Sequence, residues 1–305
     1  MACVLMQGFV LPQTHDGGAA RMKSVSIPRK ISRDDLVAGI AALPIGIVAG
    51  VTGVGGGEYR APVLLSLLRN VRWTIAGNLL AGVLVGISTA LLRGALSQPF
   101  DTLLLAATMM VGSLPGAYGG AVLARRTPSK WLKGLLAAIL VTTALRLLLF
   151  ESPSPGPFSF GLEQAVLGLV VGLGIGLTSG LLGVAGGEYR IPALILIFGL
   201  PAIVAGTISS LVSLPQQIVG FLTHRQMGQT TRRTLRLAVI MGLVGVVGVG
   251  LGVALLQRTT NVTVTRILAF LMLLAAARIA WEIRSPDVTE DPAMSGASSS
   301  RDAEP

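Results

Sequence analysis

The sequence predicts an all-α polytopic membrane protein made of two inverted repeats. Hydrophobic residues make up 52% of the 305 residues and charged residues only 12%, whereas charged residues approach about 25% in soluble domains. The motif Gly55-Gly56-Gly57-Glu58-Tyr59-Arg60-Ala61-Pro62 returns as Ala185-Gly186-Gly187-Glu188-Tyr189-Arg190-Ile191-Pro192. Because both copies interrupt long apolar sequence, each half is predicted to contain a short broken or re-entrant helix.

The apolar residues form ten segments, five in each half. In the first half they are Leu36–Val54, Ala61–Leu68, Trp73–Leu96, Thr102–Ala124 and Trp131–Phe150. In the second half they are Leu162–Val184, Ile191–Gly199, Ala202–Leu222, Leu235–Leu256 and Val264–Ile283. The predicted domains are an N-terminal cytoplasmic arm (1–34), a first transmembrane repeat (35–150), an extracytoplasmic linker (151–160), a second transmembrane repeat (161–284) and a disordered cytoplasmic tail (285–305).

Loop charges predict the orientation. The net charge of +10 comes from Lys and Arg in short loops, which mark the cytoplasmic side of a membrane protein. Ser97–Asp101 and Glu151–Glu163 contain no Lys or Arg and are predicted to lie outside. Both termini are then cytoplasmic in a multi-pass protein of the cell (inner) membrane. The odd number of segments in each half inverts the second repeat relative to the first.

The second and seventh segments are too short to span a membrane, for which about 20 residues are needed. Either they are full spans that extend through the motif, or they return from mid-membrane as half of a re-entrant hairpin. Both alternatives leave the chain on the same side, so loop charges do not separate them. We favour the hairpin.

The repeated motif has the chemistry of an anion site. Glycines permit a tight turn and close approach of a ligand, and Pro62 and Pro192 are expected in the first turn of a helix. Free N–H groups and the helix dipole favour anions at such an N-terminus. The predicted substrate-binding residues are Gly55, Gly56, Gly57, Tyr59, Arg60, Gly186, Gly187, Tyr189 and Arg190, together with Asn78, Thr207 and Gln216. Further candidates to line a path are Ser88, Thr89, Ser209, Ser210, Ser213 and Gln217.

Each motif also carries a glutamate, and Glu58 and Glu188 are the predicted proton-coupling residues. Two residues apart on a helix is about 200°, so Glu58 should not face Arg60. Across the two halves, however, Arg60 could pair with Glu188, and Arg190 with Glu58. An entering anion would compete for the arginines, and a proton on a glutamate would release them. The alternative is that these four residues only lock the repeats together.

Other features narrow the class of protein. No histidine lies in a predicted span and every aspartate lies in a loop or terminus, which argues against an intramembrane enzyme. The single cysteine, Cys3, argues against a cysteine-based metal or redox site, and we expect neither a metal nor a cofactor.

Arg146 and Arg278 are expected to snorkel to the interface. The expected partners are a small anionic substrate and the lipid bilayer, without nucleic acid; assembly as a homodimer stays open.

A glycine-rich turn that enters a short, proline-containing apolar helix, twice in one chain, resembles the TauE/SafE sulfite exporter family of membrane permeases. The resemblance covers about residues 35–283. It implies transport of sulfur-containing anions such as sulfite, sulfoacetate or other organosulfonates. This chain differs from the usual family pattern because Glu-Tyr-Arg follows the glycines, where apolar residues are common. The expected function is a secondary carrier for small anions that binds them at the repeat interface near mid-membrane. The alternatives are a passive anion channel and a permease for a non-sulfur organic anion.

Overall fold

The computed structural model describes residues 32–123, 129–149, 158–182 and 186–284. Within these ranges the regular structure is helical, as predicted, and each of the ten apolar segments corresponds to one α-helix. The helices are α1 (Arg33–Thr52), α2 (Gly57–Leu68), α3 (Val71–Leu92), α4 (Phe100–Leu123), α5 (Ser129–Leu149), α6 (Leu162–Leu182), α7 (Gly187–Leu196), α8 (Ala202–Gln226), α9 (Arg232–Leu256) and α10 (Asn261–Arg284). The predicted tail and most of the predicted arm and linker lie outside the described residues.

Seven of the described helices are long and apolar enough to cross a membrane: α1, α3, α4, α6, α8, α9 and α10. By contrast, α2 has 12 residues and α7 has 10, which at 1.5 Å per residue is about 18 and 15 Å. Neither can cross a hydrocarbon layer of about 30 Å alone. The structure is therefore that of a polytopic membrane protein with one short helix in each half.

Both short helices begin at the motif glycines, in the same local conformation. The residue before α2 is Gly56 with φ 67° and ψ 15°, and the residue before α7 is Gly186 with φ 68° and ψ 11°. This left-handed conformation costs a residue with a Cβ roughly 1–2 kcal/mol. The helices thus start four residues before the apolar segments predicted from Ala61 and Ile191. The charged residues of the motif consequently lie within the helices.

The motif prolines lie in the second helical turn, so the expectation of first-turn prolines was wrong. Pro62 is the sixth residue of α2 and Pro192 the sixth of α7. A proline has no N–H to donate to the carbonyl group four residues earlier. The main-chain carbonyls of Glu58 and Glu188 are therefore released from the helical hydrogen-bond pattern.

The two halves of the chain interlock. The first helix of each half packs against the fourth helix of the other, as α1 on α9 and α6 on α4, while α3 packs on α8 and α5 on α10. Glycines allow these close approaches: a Cβ on Gly50 would lie 2.5 Å from the carbonyl oxygen of Val249, and one on Gly172 would lie 2.5 Å from that of Met109. The inverted orientation of the two repeats stays a prediction.

Ion pairs join the beginnings of α1 and α9. Arg233 Nη2 lies 2.5 Å from Asp34 Oδ2, and Arg236 pairs with Asp35. The carboxylates lie in the first turn of α1, where the helix dipole favours negative charge. These pairs bring the starts of α1 and α9 to the same end of the molecule. The side of the membrane that this end faces stays a prediction.

Candidate functional site

The motif turn of the first half lies against the motif helix of the second. A Cβ on Gly187, the first residue of α7, would lie 2.7 Å from the carbonyl oxygen of Val54. One on Gly206 of α8 would overlap the carbonyl oxygen of Thr52, at the end of α1. The α7 N-terminus therefore meets the turn that feeds α2, and the contact requires glycine at Gly187.

Arg60 points from α2 towards α3. Its side chain is buried, with an exposed fraction of 2%, and its Nε donates to Asn78 Oδ1 at 3.3 Å. Its Nη1 has no hydrogen-bond partner. From the other half, the amide oxygen of Gln217 reaches the same place: a Cβ on Gly82 would overlap that oxygen and lie 3.2 Å from Arg60 Nη2. Gln217 Oε1 is also without a partner.

Arg190 makes the corresponding interactions with α8. It is fully buried, and its Nη1 donates to Ser213 Oγ at 2.6 Å and to the carbonyl oxygen of Ser209 at 3.2 Å. Its Nη2 donates to Gln216 Oε1 at 2.9 Å. Three polar atoms remain without partners here: Arg190 Nε, Gln216 Nε2 and Ser209 Oγ. Each motif arginine thus binds the long helix that follows in its own half.

The predicted arginine–glutamate pairs between the halves are not formed. Both guanidinium groups are turned towards α3 and α8, and neither Oε1 nor Oε2 of Glu188 has a hydrogen-bond partner. Instead, Glu188 faces Glu58, close enough to share a hydrogen bond when one of the two carries a proton. Tyr59 and Tyr189 lie within electrostatic range of both carboxyl groups. The physical reason is the spacing: with the arginines on one side of each short helix, residues two positions earlier lie on the other.

Helix α10 closes the glutamate side of the site. Arg278 Nη1 donates to the main-chain carbonyl of Glu58 at 2.6 Å, the carbonyl that Pro62 leaves free. Tyr59 donates its hydroxyl proton to the carbonyl oxygen of Leu271, at 3.2 Å. The expectation that Arg278 snorkels to the interface was wrong. The sequence did contain a signal. Each repeat has a motif proline, which leaves a main-chain carbonyl without its helical donor, and an arginine near the end of the repeat, Arg146 or Arg278.

Thr207 lies in a different cluster, around Arg93. Arg93 Nε donates to Thr207 Oγ1 at 3.1 Å, and Nη1 donates to the carbonyls of Gly50 and Val51 at 2.8 and 2.7 Å. Nη2 donates to the carbonyl of Ile203 at 2.7 Å, which also accepts from Thr207 Oγ1. Arg93, which follows the last residue of α3, thus joins α1 to α8. Sequence analysis did not identify it.

The other predicted positions fit the site more closely. Asn78 and Gln216 each bind a motif arginine, and Gly55, with φ 84°, has open space where a Cβ would stand. Among the described residues, no three His, Cys, Asp or Glu side chains are grouped so as to hold a metal ion.

Comparison with known proteins assigns the chain to a family. The family model for sulfite exporter TauE/SafE matches residues 36–279. The chain is also similar to the probable membrane transporter protein YunE of Bacillus subtilis (strain 168), with 22% identity over 268 residues that cover 80% of this chain and 96% of YunE. The short helices, interlocked halves and buried polar site therefore belong to a membrane transporter, and the chain is a member of the TauE/SafE sulfite exporter family.

Proposed function

We propose that this transporter is a secondary carrier for small oxyanions, with sulfite and organosulfonates as its substrates, and that the anion contacts Arg60 and Arg190. The supporting observation is a concentration of buried polar atoms without hydrogen-bond partners. Five of them surround the two arginines: Arg60 Nη1, Arg190 Nε, Ser209 Oγ and Gln216 Nε2, which can donate to an anion, and the acceptor Gln217 Oε1. An unpartnered buried polar group costs about 1–3 kcal/mol, so native proteins rarely keep several together unless they serve a ligand.

The donor set suits an anion with several oxygens. A guanidinium group presents N–H donors in a planar fork that matches two oxygens at once, and two such groups are available. The N-termini of α2 and α7 add main-chain N–H groups and the favourable end of the helix dipole. Sulfite and sulfonates each carry three oxygens on one sulfur, and the family model supports the choice of sulfur-containing anions.

The facing carboxyl groups of Glu58 and Glu188 support coupling to protons. Two carboxylates repel each other strongly when buried, and a proton between them converts repulsion into a hydrogen bond. We propose that this pair takes up and releases the coupled proton. We further propose that the protein lies in the cell (inner) membrane, with both termini in the cytoplasm. The ion pairs between α1 and α9 support this orientation, because they join two helix starts that the loop charges assign to the cytoplasmic side.

The test is a flux panel in proteoliposomes. Purified protein is reconstituted, and uptake of sulfite, sulfoacetate, sulfate and acetate is measured with and without an imposed pH gradient. We expect saturable uptake of sulfite or sulfoacetate that is concentrated by the gradient and is lost in the R60A/R190A double variant.

The alternatives give different results in the same panel. Uptake of acetate without any sulfur anion would indicate a permease for a non-sulfur organic anion. Flux that runs only down its own gradient and ignores the pH gradient would indicate a passive anion channel. Rates equal to those of protein-free liposomes for all four anions would contradict the proposal.

A further inference from the structure

We infer that Arg278 is the positioning residue of a proton site formed by Glu58 and Glu188, and that this site occupies the side of the motif helices opposite to the two anion-binding arginines. The coupling part of this inference rests on the proposed function, whereas the proton site itself does not.

The first step is the separation of the two sides. Arg60 binds Asn78 of α3, and Arg190 binds α8 through Ser209, Ser213 and Gln216. The other side of α2 contacts α10, through the hydroxyl of Tyr59 on the carbonyl of Leu271 and through Arg278 on the carbonyl of Glu58. A spacing of two residues, about 200° around a helix, separates the arginine of each motif from its glutamate. Anion and proton thus have different neighbours.

The second step is the reason that Arg278 is held in place. Pro62 has no N–H, so the carbonyl of Glu58 lacks its donor from within α2. In the low dielectric of the membrane interior such a carbonyl needs a partner, and the Nη1 group of Arg278 supplies it at 2.6 Å. This bond fixes the guanidinium group beside the carboxyl pair, within electrostatic range of Glu188 and Tyr59.

The third step is the charge balance. Glu188 has an exposed fraction of 5%, and its carboxylate oxygens receive no hydrogen bond from any described residue. The ionisable groups that act on it are Glu58 of α2, Arg278 of α10 and the flanking phenols Tyr59 and Tyr189. With neutral phenols, two carboxylates and one guanidinium leave one negative charge, and one shared proton neutralises it. Without Arg278, neutrality requires two protons.

This arrangement makes the proton occupancy of the pair depend on α10. With Arg278 in place, the pair can release one of two protons, because the guanidinium group balances the one carboxylate charge that then remains. The two short helices, which carry Glu on one side and Arg on the other, connect the proton site to the anion site. Coupling between proton and anion is then conformational and needs no contact between them.

The experiment measures protonated carboxyl groups directly. Infrared spectra of the reconstituted full-length protein are recorded across a pH titration, and the C=O band of a protonated carboxyl that disappears in E188Q is assigned to the pair. An opposite charge at close range changes the titration of a carboxyl group by about 1–3 pH units. We therefore expect the midpoint of this band to move upwards by about 1–3 pH units in R278Q and R278M.

Two controls separate charge from general perturbation. R278K keeps a positive charge and a donor for the Glu58 carbonyl, and should restore the wild-type midpoint. R266Q removes a charge from an exposed position of the same helix and should leave the midpoint unchanged. If R278Q does not yield folded protein, R278M tests the same loss of charge.

The inference is overturned if both uncharged variants titrate like R266Q, or if no band depends on Glu188. Its failure is distinct from failure of the proposed function. A shifted band with no flux of any tested anion would retain the proton site and reject the carrier. Sulfite flux with an unchanged pH profile in R278Q and R278M would retain the carrier and reject the role of Arg278.

Discussion

Gln217 of α8 lies over Gly82 of α3, so that a Cβ on Gly82 would overlap its amide oxygen. The two residues belong to different halves of the chain, and Arg60 Nη2 lies 3.2 Å from the same Cβ position. Because no side chain separates α3 from α8 at this point, an amide group of one repeat stands beside the arginine of the other. The absence of a side chain at Gly82 thus allows Gln217 of the second half to lie beside Arg60 of the first half.

The first prediction is that G82A impairs transport. The added methyl group moves the Gln217 amide oxygen away from the Arg60 guanidinium group, and losing one hydrogen-bonding group beside a charged group costs about 1.5–3 kcal/mol, or roughly 10–100-fold in affinity. The measurement is the KM for sulfite in proteoliposomes. G250A is the matched control, because a Cβ on Gly250 of α9 would contact nothing within 4 Å.

A second variant tests whether the clash is the cause. In G82A/Q217A the displaced side chain is absent, so KM should resemble that of Q217A alone, without a further increase from the methyl group. If G82A has the same KM as G250A, Gln217 does not contribute to the anion site.

The second prediction concerns the shape of the cation. Lysine at position 60 keeps the charge but lacks the planar set of N–H donors of a guanidinium group. Its single ammonium group cannot bind Asn78 and the anion in the same geometry. We expect R60K and R190K each to raise KM by about 10–100-fold, the equivalent of one hydrogen bond to a charged group, with little change in protein abundance. R266K, at an exposed position of α10, is the control. Unchanged transport in both R60A and R190A would make the two arginines structural.

The third prediction concerns coupling. In E58Q and E188Q an amide N–H group replaces the shared proton as the donor to the remaining carboxylate, so the two side chains stay hydrogen-bonded without a proton shared between them. Gradient-driven accumulation should disappear, and exchange of labelled for unlabelled sulfite should remain measurable. Accumulation in the E58Q/E188Q double variant at the wild-type level would exclude carboxylate-mediated coupling.

The fold was largely predictable because its signals are local. Apolar length predicted the long helices, and the glycine motif predicted both short helices and the glycine turns before them. The direction of each side chain was less predictable. The 200° spacing correctly separated Glu58 from Arg60, but the partner of each depends on which helices pack on either side of α2. The exchange of helices between halves, α1 with α9 and α6 with α4, is a tertiary property that no local pattern encodes.

Two arginines show where the sequence reasoning stopped. Arg278 stands near a helix end, the position in which most arginines extend to the membrane surface, and its bond to Glu58 follows from the packing of α10 on the motif. The proline that frees the acceptor was visible in the sequence, but its place in the second turn was not. Arg93 was overlooked because the predicted apolar segment continued to Leu96, whereas α3 ends one residue before Arg93.

The fourth prediction tests orientation in the membrane. In a C3S background, cysteines are introduced at Ser97, which is exposed between α3 and α4, and at Gln226, the exposed last residue of α8. The loop charges predict that Ser97 lies outside and Gln226 in the cytoplasm. An impermeant maleimide added to intact cells should label S97C, and Q226C only after the membrane is opened. Labelling of both from outside would contradict the predicted topology.

The fifth prediction is that Arg93 stabilises the junction between the two halves. Its guanidinium group donates four hydrogen bonds, to the carbonyls of Gly50, Val51 and Ile203 and to the hydroxyl of Thr207. The carbonyls of Gly50 and Val51 belong to the last turn of α1, which has no helical donors of its own. Glutamine is too short to reach all four acceptors, and each buried acceptor left without a donor costs about 1–3 kcal/mol. We therefore expect R93Q to lower the free energy of unfolding by several kcal/mol.

The measurement is thermal unfolding of the purified protein in detergent, followed by intrinsic fluorescence. R258Q, at an exposed position after α9, removes the same charge without breaking these bonds and should unfold like the wild type. R93K should be intermediate, because an ammonium group keeps the charge and up to three donors but not their fork geometry. Equal midpoints for R93Q and R258Q would mean that the Arg93 hydrogen bonds add no net stability to the contact between α1 and α8.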